Sequence, residues 1–370
     1  MIVMKFGGTS VGDGERILKT ARIVVREATT GGTPVVVVSA MEGVTDALIR
    51  AARAAAHHKS DLLHRTIAEL YSRHEEAAQQ VAAPGERGTL LTEVRALVRE
   101  FENLCSAIQV LGELTPRGLD AVASLGERLS VRLLAAAVRR EGAPARAIEA
   151  TELIVTNDRH GAASPLMEPT RDRTRSALLP LLEEGVIPVV TGFIGATEEG
   201  AITTLGRGGS DFTAAILGHC LDVEEVWIWT DVDGVMTADP RIVPEARTLP
   251  ELSYAEAAEL SYFGAKVIHP KTILPAVERK IPIRIKNTFN PDGPSTLIVD
   301  QPRNNEALVK AITSIKGLSL LTVEGRGMLG VPGIAAKLFS AVAEEGISVL
   351  MISQSSSEQS ICFVIREEET

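Results

Sequence analysis

At 370 residues the chain is long enough for two or three domains, and 45% hydrophobic against 23% charged residues is the balance of a globular protein with a sizeable core. A formal net charge of −10 argues against a broad nucleic-acid surface, and no apolar run approaches the ~18 residues of a membrane span. Cys105, Cys220 and Cys362 form no CxxC pair, the histidines show no metal spacing, and the N-terminus has no signal-peptide core, which together argue against a zinc or disulfide framework and point to the cytoplasm.

Residues 1–6 and Pro34–Val38 read as short strands buried on both faces, with helical periodicity from Glu15 to Glu27 between them. Strand–helix–strand alternation implies a parallel sheet. Residues 43–140 predict an almost wholly helical stretch, interrupted near Ala83-Pro84-Gly85 and Thr115-Pro116. Strands are expected at Val186–Ile194, Ala201–Leu205, Glu225–Thr230 and Ile281–Lys286, with helices at 170–184, 211–221 and 254–263. The fold class is therefore α/β, an αβα sandwich with a mainly parallel sheet over about residues 1–300. From 301 the pattern changes to strand 318–324, helix 332–345, strand 347–353 and strand 360–366, a β-α-β-β unit one helix and one strand short of a ferredoxin-like module.

Ligands of open α/β sheets sit at the carboxyl ends of strands, and the charged glycine loops fall there. Lys5-Phe6-Gly7-Gly8-Thr9-Ser10 combines a cation, two glycines that let backbone N–H groups approach an oxygen, and two hydroxyls before a helix, a set suited to phosphate. It is neither a P-loop nor G-x-G-x-x-G. Thr204-Leu205-Gly206-Arg207-Gly208-Gly209-Ser210-Asp211 is a second anion nest, with the planar fork of Arg207 suited to carboxylate or phosphate and Asp211 placed to orient Lys5 or a metal-bound phosphate. Thr230-Asp231-Val232-Asp233-Gly234-Val235 with Ala238-Asp239-Pro240-Arg241, and Phe263-Gly264-Ala265-Lys266, add two more cationic loops. Each loop alone is also compatible with an ordinary turn and a solvated side chain. Together they fit phosphoryl transfer, which needs dispersed positive charge and little covalent chemistry from the protein.

KFGGTS, the Ser39-Ala40-Met41 strand end, TLGRGGSD, TDVDGV…ADPR and SYFGAKVIHP, in that order along the chain, resemble the aspartate kinases of the amino-acid kinase fold. The resemblance implies ATP and Mg²⁺, with L-aspartate converted to 4-phospho-L-aspartate at the entry to lysine, threonine and methionine synthesis. It implies that Lys5, Gly7 and Gly8 meet the ATP phosphates, with Lys5 stabilising the transferring group and Asp211 organising Lys5. Ser39, Thr45, Glu127 (in Ser124-Leu125-Gly126-Glu127-Arg128), Arg207, Gly208, Gly209 and Ser210 would surround aspartate, with Arg207 on its α-carboxylate. Thr230, Asp231, Met236, Arg241, Lys266 and Val267 would line the nucleotide site; relatives usually carry tyrosine where Met236 stands. An aspartate lobe of about 1–205 and an ATP lobe of about 206–300 would be followed by a regulatory ACT region, 301–370, that looks incomplete.

Leu350 stands where lysine-inhibited relatives tend to carry an acidic residue, and the Ser353–Glu358 stretch is more similar to threonine-sensitive members, including those fused to homoserine dehydrogenase. Threonine is then the expected effector, Gln354 a contact for it, and a homodimer or higher homo-oligomer the expected assembly. Two rivals remain at this point: a kinase of the same fold acting on acetylglutamate, glutamate, UMP or carbamate, and a silent amino-acid sensor. A dehydrogenase is excluded within these residues by the lack of G-x-G-x-x-G after a strand.

Overall fold

Apolar runs with no polar face must be covered on both sides, and Ile2–Phe6 (β1) and Val35–Val38 (β2) are, all four valines of β2 being buried. A computed structural model describes residues 1–264, 268–303, 309–356 and 359–370. They divide into two units, Met1–Ile312 and Thr313–Thr370.

In the first unit β1 is followed by α1 (Gly14–Gly31), which starts where Asp13 accepts a hydrogen bond from the Arg16 N–H. After β2 come α2 (Val44–Ala56), α3 (Ser60–Val81), α4 (Arg87–Leu111) and α5 (Pro116–Arg140), the last capped by Thr115 with proline at its first position. The chain continues through β3 (Ala145–Ile148), α6 (Met167–Glu183), β4 (Ile187–Thr191), β5 (Ile194–Ala196), β6 (Ile202–Thr204), α7 (Gly209–Leu221) and β7 (Glu225–Thr230). It closes with β8 (Glu251–Ser253), α8 (Tyr254–Tyr262), α9 (Leu274–Glu278), β9 (Ile283–Asn287) and β10 (Thr296–Val299).

The eight strands of the main sheet run in the order β3-β4-β2-β1-β7-β9-β10-β8, and every pair is parallel except β9 with β10. Alternate residues of β1 and β2 feed two cores. Met4, Phe6, Val36 and Val38 pack with α1 to α5, whereas Val3, Val35 and Val37 pack with α6 to α9. These are the two helical layers of an αβα sandwich. Among the described residues no helix is long and apolar enough to cross a membrane.

The structure corrects two details of the sequence reading. The expected strand 186–194 ends at Thr191, and the chain turns through Phe193 at φ 68° into a separate β5–β6 hairpin. Gly192 permits this turn because a Cβ there would lie 2.4 Å from Ser210 Oγ. Strands β3, β8 and β10 were not expected, being three or four residues long and in part polar.

The second unit runs β11 (Leu318–Glu324), α10 (Ile334–Glu344), β12 (Met351–Gln354) and β13 (Ser360–Arg366), with antiparallel order β11-β13-β12. Ile361, Phe363 and Ile365 form its buried face, and Phe339 of α10 meets Phe363 edge-on at 5.8 Å. The β-α-β-β order expected from the sequence is present, although the second strand starts at Met351 rather than 347.

Candidate active site

The carboxyl ends of β1, β2 and β4 open into a cavity of about 540 Å³. Lys5, near the end of β1, reaches into it. Its Nζ lies 2.7 Å from Oδ1 of Asp211, and both side chains are largely buried. Asp211 belongs to the first turn of α7, where a carboxylate also meets the positive end of the helix dipole. The pair fixes an ammonium at the mouth of an anion-favouring helix terminus.

Glu127 enters from α5. Its Oε1 accepts a hydrogen bond of 3.2 Å from the Ala40 N–H, and Oε2 has no hydrogen-bond partner among the described residues. Burial raises its pKa to about 8, against an ordinary value near 4.5. The carboxyl reaches the end of β2 because Gly126 precedes it: a Cβ at Gly126 would come within 2.8 Å of the Ala40 Cβ.

Arg207 stands exposed on the cavity wall, carried between Gly206 at φ 79° and Gly208 at φ 71°. No salt bridge to it occurs among the described residues. Both glycines occupy the left-handed region that other residues resist. Gly209 is required for space, since a Cβ there would meet the Phe193 ring at 2.6 Å. The Gly43 turn places Thr45 in the first turn of α2, and Thr45, Ser39, Ser210 and Gly8 complete this part of the lining. A Cβ on Gly8 would lie 3.0 Å from the Ala40 carbonyl oxygen, so the backbone approaches closely there.

Two features of the first loop differ from expectation. The Gly7 N–H is not directed at the cavity but donates to the Trp229 carbonyl at 3.2 Å. Ser10 is fully buried, its hydroxyl 2.7 Å from Thr288 Oγ1, so it is not available to a phosphate. These contacts tie the loop to β7 and to the chain after β9.

Of the residues expected to hold a nucleotide, Lys5 and Gly8 line this cavity, whereas Gly7, Thr230, Asp231, Met236 and Arg241 do not. Thr230 ends β7 and its hydroxyl donates to Asp231, which is exposed. Met236 is half-buried, with its sulfur 3.5 Å from Thr248 Oγ1. Arg241 is exposed and grips Asp239 through two nitrogens at 3.0 and 2.7 Å. Lys266 and Val267 lie outside the described residues. Gln354 is exposed on β12 of the second unit.

Sequence reasoning missed Asp120, Gly161 and Phe193, which also line the cavity. Asp120 lies seven residues before Glu127, two helical turns along the same face of α5, and that spacing was the available signal. Arranged in this way, the cavity offers a cation fixed by a carboxylate, a second cation for a carboxylate ligand, and a buried carboxyl open to an ammonium. That combination suits a small zwitterion presented to a phosphoryl donor.

Comparison with known proteins agrees with this chemistry. The amino acid kinase family matches residues 1–287 and an ACT domain matches residues 321–370. The chain is 41% identical over 373 residues to a chloroplastic bifunctional aspartokinase/homoserine dehydrogenase 1 of Zea mays, covering 99% of this chain and 40% of that protein. It thus spans about two fifths of the length of the curated relatives of this bifunctional type. E. coli aspartokinase III in complex with aspartate and ADP (R-state) superimposes with a TM-score of 0.82 at 33% identity, over 99% of this chain and 78% of that one. The same enzyme with lysine and aspartate (T-state) gives 0.82 and 33%, over 99% and 79%.

Proposed function

The chain belongs to the amino-acid kinase family, and from that premise we propose that it transfers the γ-phosphoryl group of ATP to the side-chain carboxylate of L-aspartate, giving 4-phospho-L-aspartate. The observation that carries this reading is the convergence of Arg207, the open oxygen of Glu127 and the Lys5–Asp211 pair on one cavity.

Arg207 would take the α-carboxylate through its planar fork. Glu127 would take the α-ammonium, giving up its proton as the ligand supplies a positive charge. The side-chain carboxylate then faces Lys5 as a ready nucleophile, because a carboxylate near pH 7 is already deprotonated and needs no general base. Lys5, held by Asp211, would place its charge beside the transferring phosphoryl, where negative charge spreads in the transition state. Mg²⁺ would arrive with the nucleotide and neutralise the phosphate oxygens, held mainly by the phosphates and water. Gly8, Thr230, Asp231, Met236, Arg241, Lys266 and Val267 are the proposed nucleotide contacts, and Gly7, whose N–H is committed to Trp229, would contribute only the close approach that a residue without a side chain permits. The proposed lobes are about 1–205 for aspartate and 206–300 for ATP, with regulation in 301–370.

Threonine as effector, with Gln354 among its contacts, and a homo-oligomeric assembly belong to the same proposal. Three free cysteines suit a reducing compartment such as the cytoplasm. ADP release measured across L-aspartate, glutamate, acetylglutamate, UMP and carbamate tests the substrate. Release stimulated by L-aspartate alone supports the proposal, and stimulation by another acceptor instead replaces it.

A further inference from the structure

We infer that Asp120 is a positioning residue that sets the Arg207 loop for its carboxylate ligand, an inference that rests on the proposed aspartate kinase reaction. Asp120 is a buried carboxylate, 2% exposed, on the α5 face that also carries Glu127. Among the described residues, the hydrogen-bond partners of its side chain lie on two segments of the cavity wall, the 157–164 loop and the end of β6. Oδ1 accepts from the Thr204 hydroxyl at 2.6 Å, both oxygens accept from the Gly161 N–H at 3.1 and 3.0 Å, and Oδ2 lies 2.8 Å from His160 Nδ1.

These bonds fall where they govern geometry. Thr204 is the last residue of β6, and only Leu205 and Gly206 separate it from Arg207. The other loop is closed at its base by Asn157, whose N–H donates to the Ser164 carbonyl and whose side-chain oxygen accepts from the Ser164 N–H. Its tip, His160 and Gly161, is fastened by Asp120. The two loops also touch directly: the Ala163 N–H donates to the Thr204 carbonyl at 2.9 Å, and a Cβ on Gly206 would lie 3.3 Å from the Gly161 carbonyl oxygen. Gly206 has φ 79° and begins the turn that projects Arg207. Asp120 therefore clasps the loop against which that turn rests. One helix supplies both the carboxyl that faces the ligand and the carboxylate that holds the opposite wall.

Among the described residues, the hydrogen bonds of this clasp involve neither Lys5 nor a proposed nucleotide contact, so its loss should act on one substrate. Asp120→Ala should raise the KM for L-aspartate by about tenfold or more, with kcat within about threefold and the KM for ATP unchanged. Asp120→Asn should recover most of the aspartate KM, because its amide oxygen can accept from Thr204 and its NH₂ can face a His160 ring that has moved its proton to Nε2. Thr204→Val removes one partner of the clasp without altering Asp120, and should raise the aspartate KM in the same selective way; it keeps the test open if Asp120→Ala does not fold. A merely structural role would lower the melting temperature while leaving both KM values at wild-type level, and that result overturns the inference. Equal rises in both KM values, or no recovery in Asp120→Asn, also overturn it. A wild-type protein that ignores aspartate would instead bring down the functional reading itself.

Discussion

Lys5 Nζ and Asp211 Oδ1 stand 2.7 Å apart although 206 positions separate the residues, the lysine at the end of a central strand and the aspartate in the first turn of α7. The pair joins both glycine loops at one point and places a fixed charge in the cavity. Lys5→Ala should lower kcat by about two to three orders of magnitude, the usual loss for one preorganised charge at a developing anion, in a protein that still folds but melts at a lower temperature because Asp211 loses its partner. Wild-type turnover in that variant would remove Lys5 from the chemistry. Asp211→Asn keeps the shape but weakens the hold on the ammonium, and should give a smaller loss in kcat.

Arg207 has no salt bridge among the described residues, so truncating it breaks no internal ion pair. Arg207→Ala should raise the KM for aspartate by about 10- to 100-fold, the loss of one charge-assisted bidentate contact, with stability close to wild type. Steady-state kinetics with each substrate varied in turn checks this, and an unchanged aspartate KM would place the α-carboxylate elsewhere.

Glu127 gives a pH dependence with a defined sign. Its folded pKa of about 8 exceeds the ordinary 4.5, so between those values the folded state holds a proton that the unfolded chain has lost. The stability this contributes is fully present below pH 4.5 and is lost as pH rises through 8. Glu127→Gln should match wild type in melting temperature near pH 4.5 and exceed it at pH 8.5 and above. A melting-temperature difference independent of pH would contradict the assignment.

The same carboxyl should couple ligand binding to proton release. A cation that occupies the site pulls the pKa down, so aspartate must expel the proton when pH is below about 8. Affinity for aspartate should weaken as pH falls from 8 toward 6.5, by up to about tenfold per pH unit, and titration calorimetry in buffers of different ionisation enthalpy should show the released proton.

Gly126→Ala would press a methyl group against Ala40 at 2.8 Å, where a helix and a strand end meet with no flexible side chain to yield. It should cost about 1–3 kcal/mol of stability and weaken aspartate use by shifting Glu127 away from the end of β2. Denaturant titration together with the aspartate KM reads both effects.

The charged glycine loops were legible because their signal is local. Lys5, Gly8, Arg207 and Asp211 announce an anion site through residue type and adjacency alone. Glu127 was found only through resemblance, since a single glutamate in a long helix reads as a solvated charge. Asp120 was missed for the same reason: its partners lie 41 and 84 positions onward, and only the folded chain brings them to it. Ser10 was misjudged because a hydroxyl in a glycine turn looks free, whereas Thr288, 278 positions away, occupies it. The uniformly apolar strands, β2 with its four valines above all, were equally plain, but β3, β8 and β10 are three or four residues long and in part polar, too little for a strand pattern to register.

Hydroxylamine trapping of an acyl phosphate tests the central claim most directly, because hydroxamate forms only if phosphate has been placed on a carboxylate. With Mg-ATP and L-aspartate, the wild-type chain should give aspartyl hydroxamate in amounts matching ADP, and Lys5→Ala should give about a hundredth of that rate or less. ADP without hydroxamate, or no ADP from folded protein that still binds aspartate, would contradict the account.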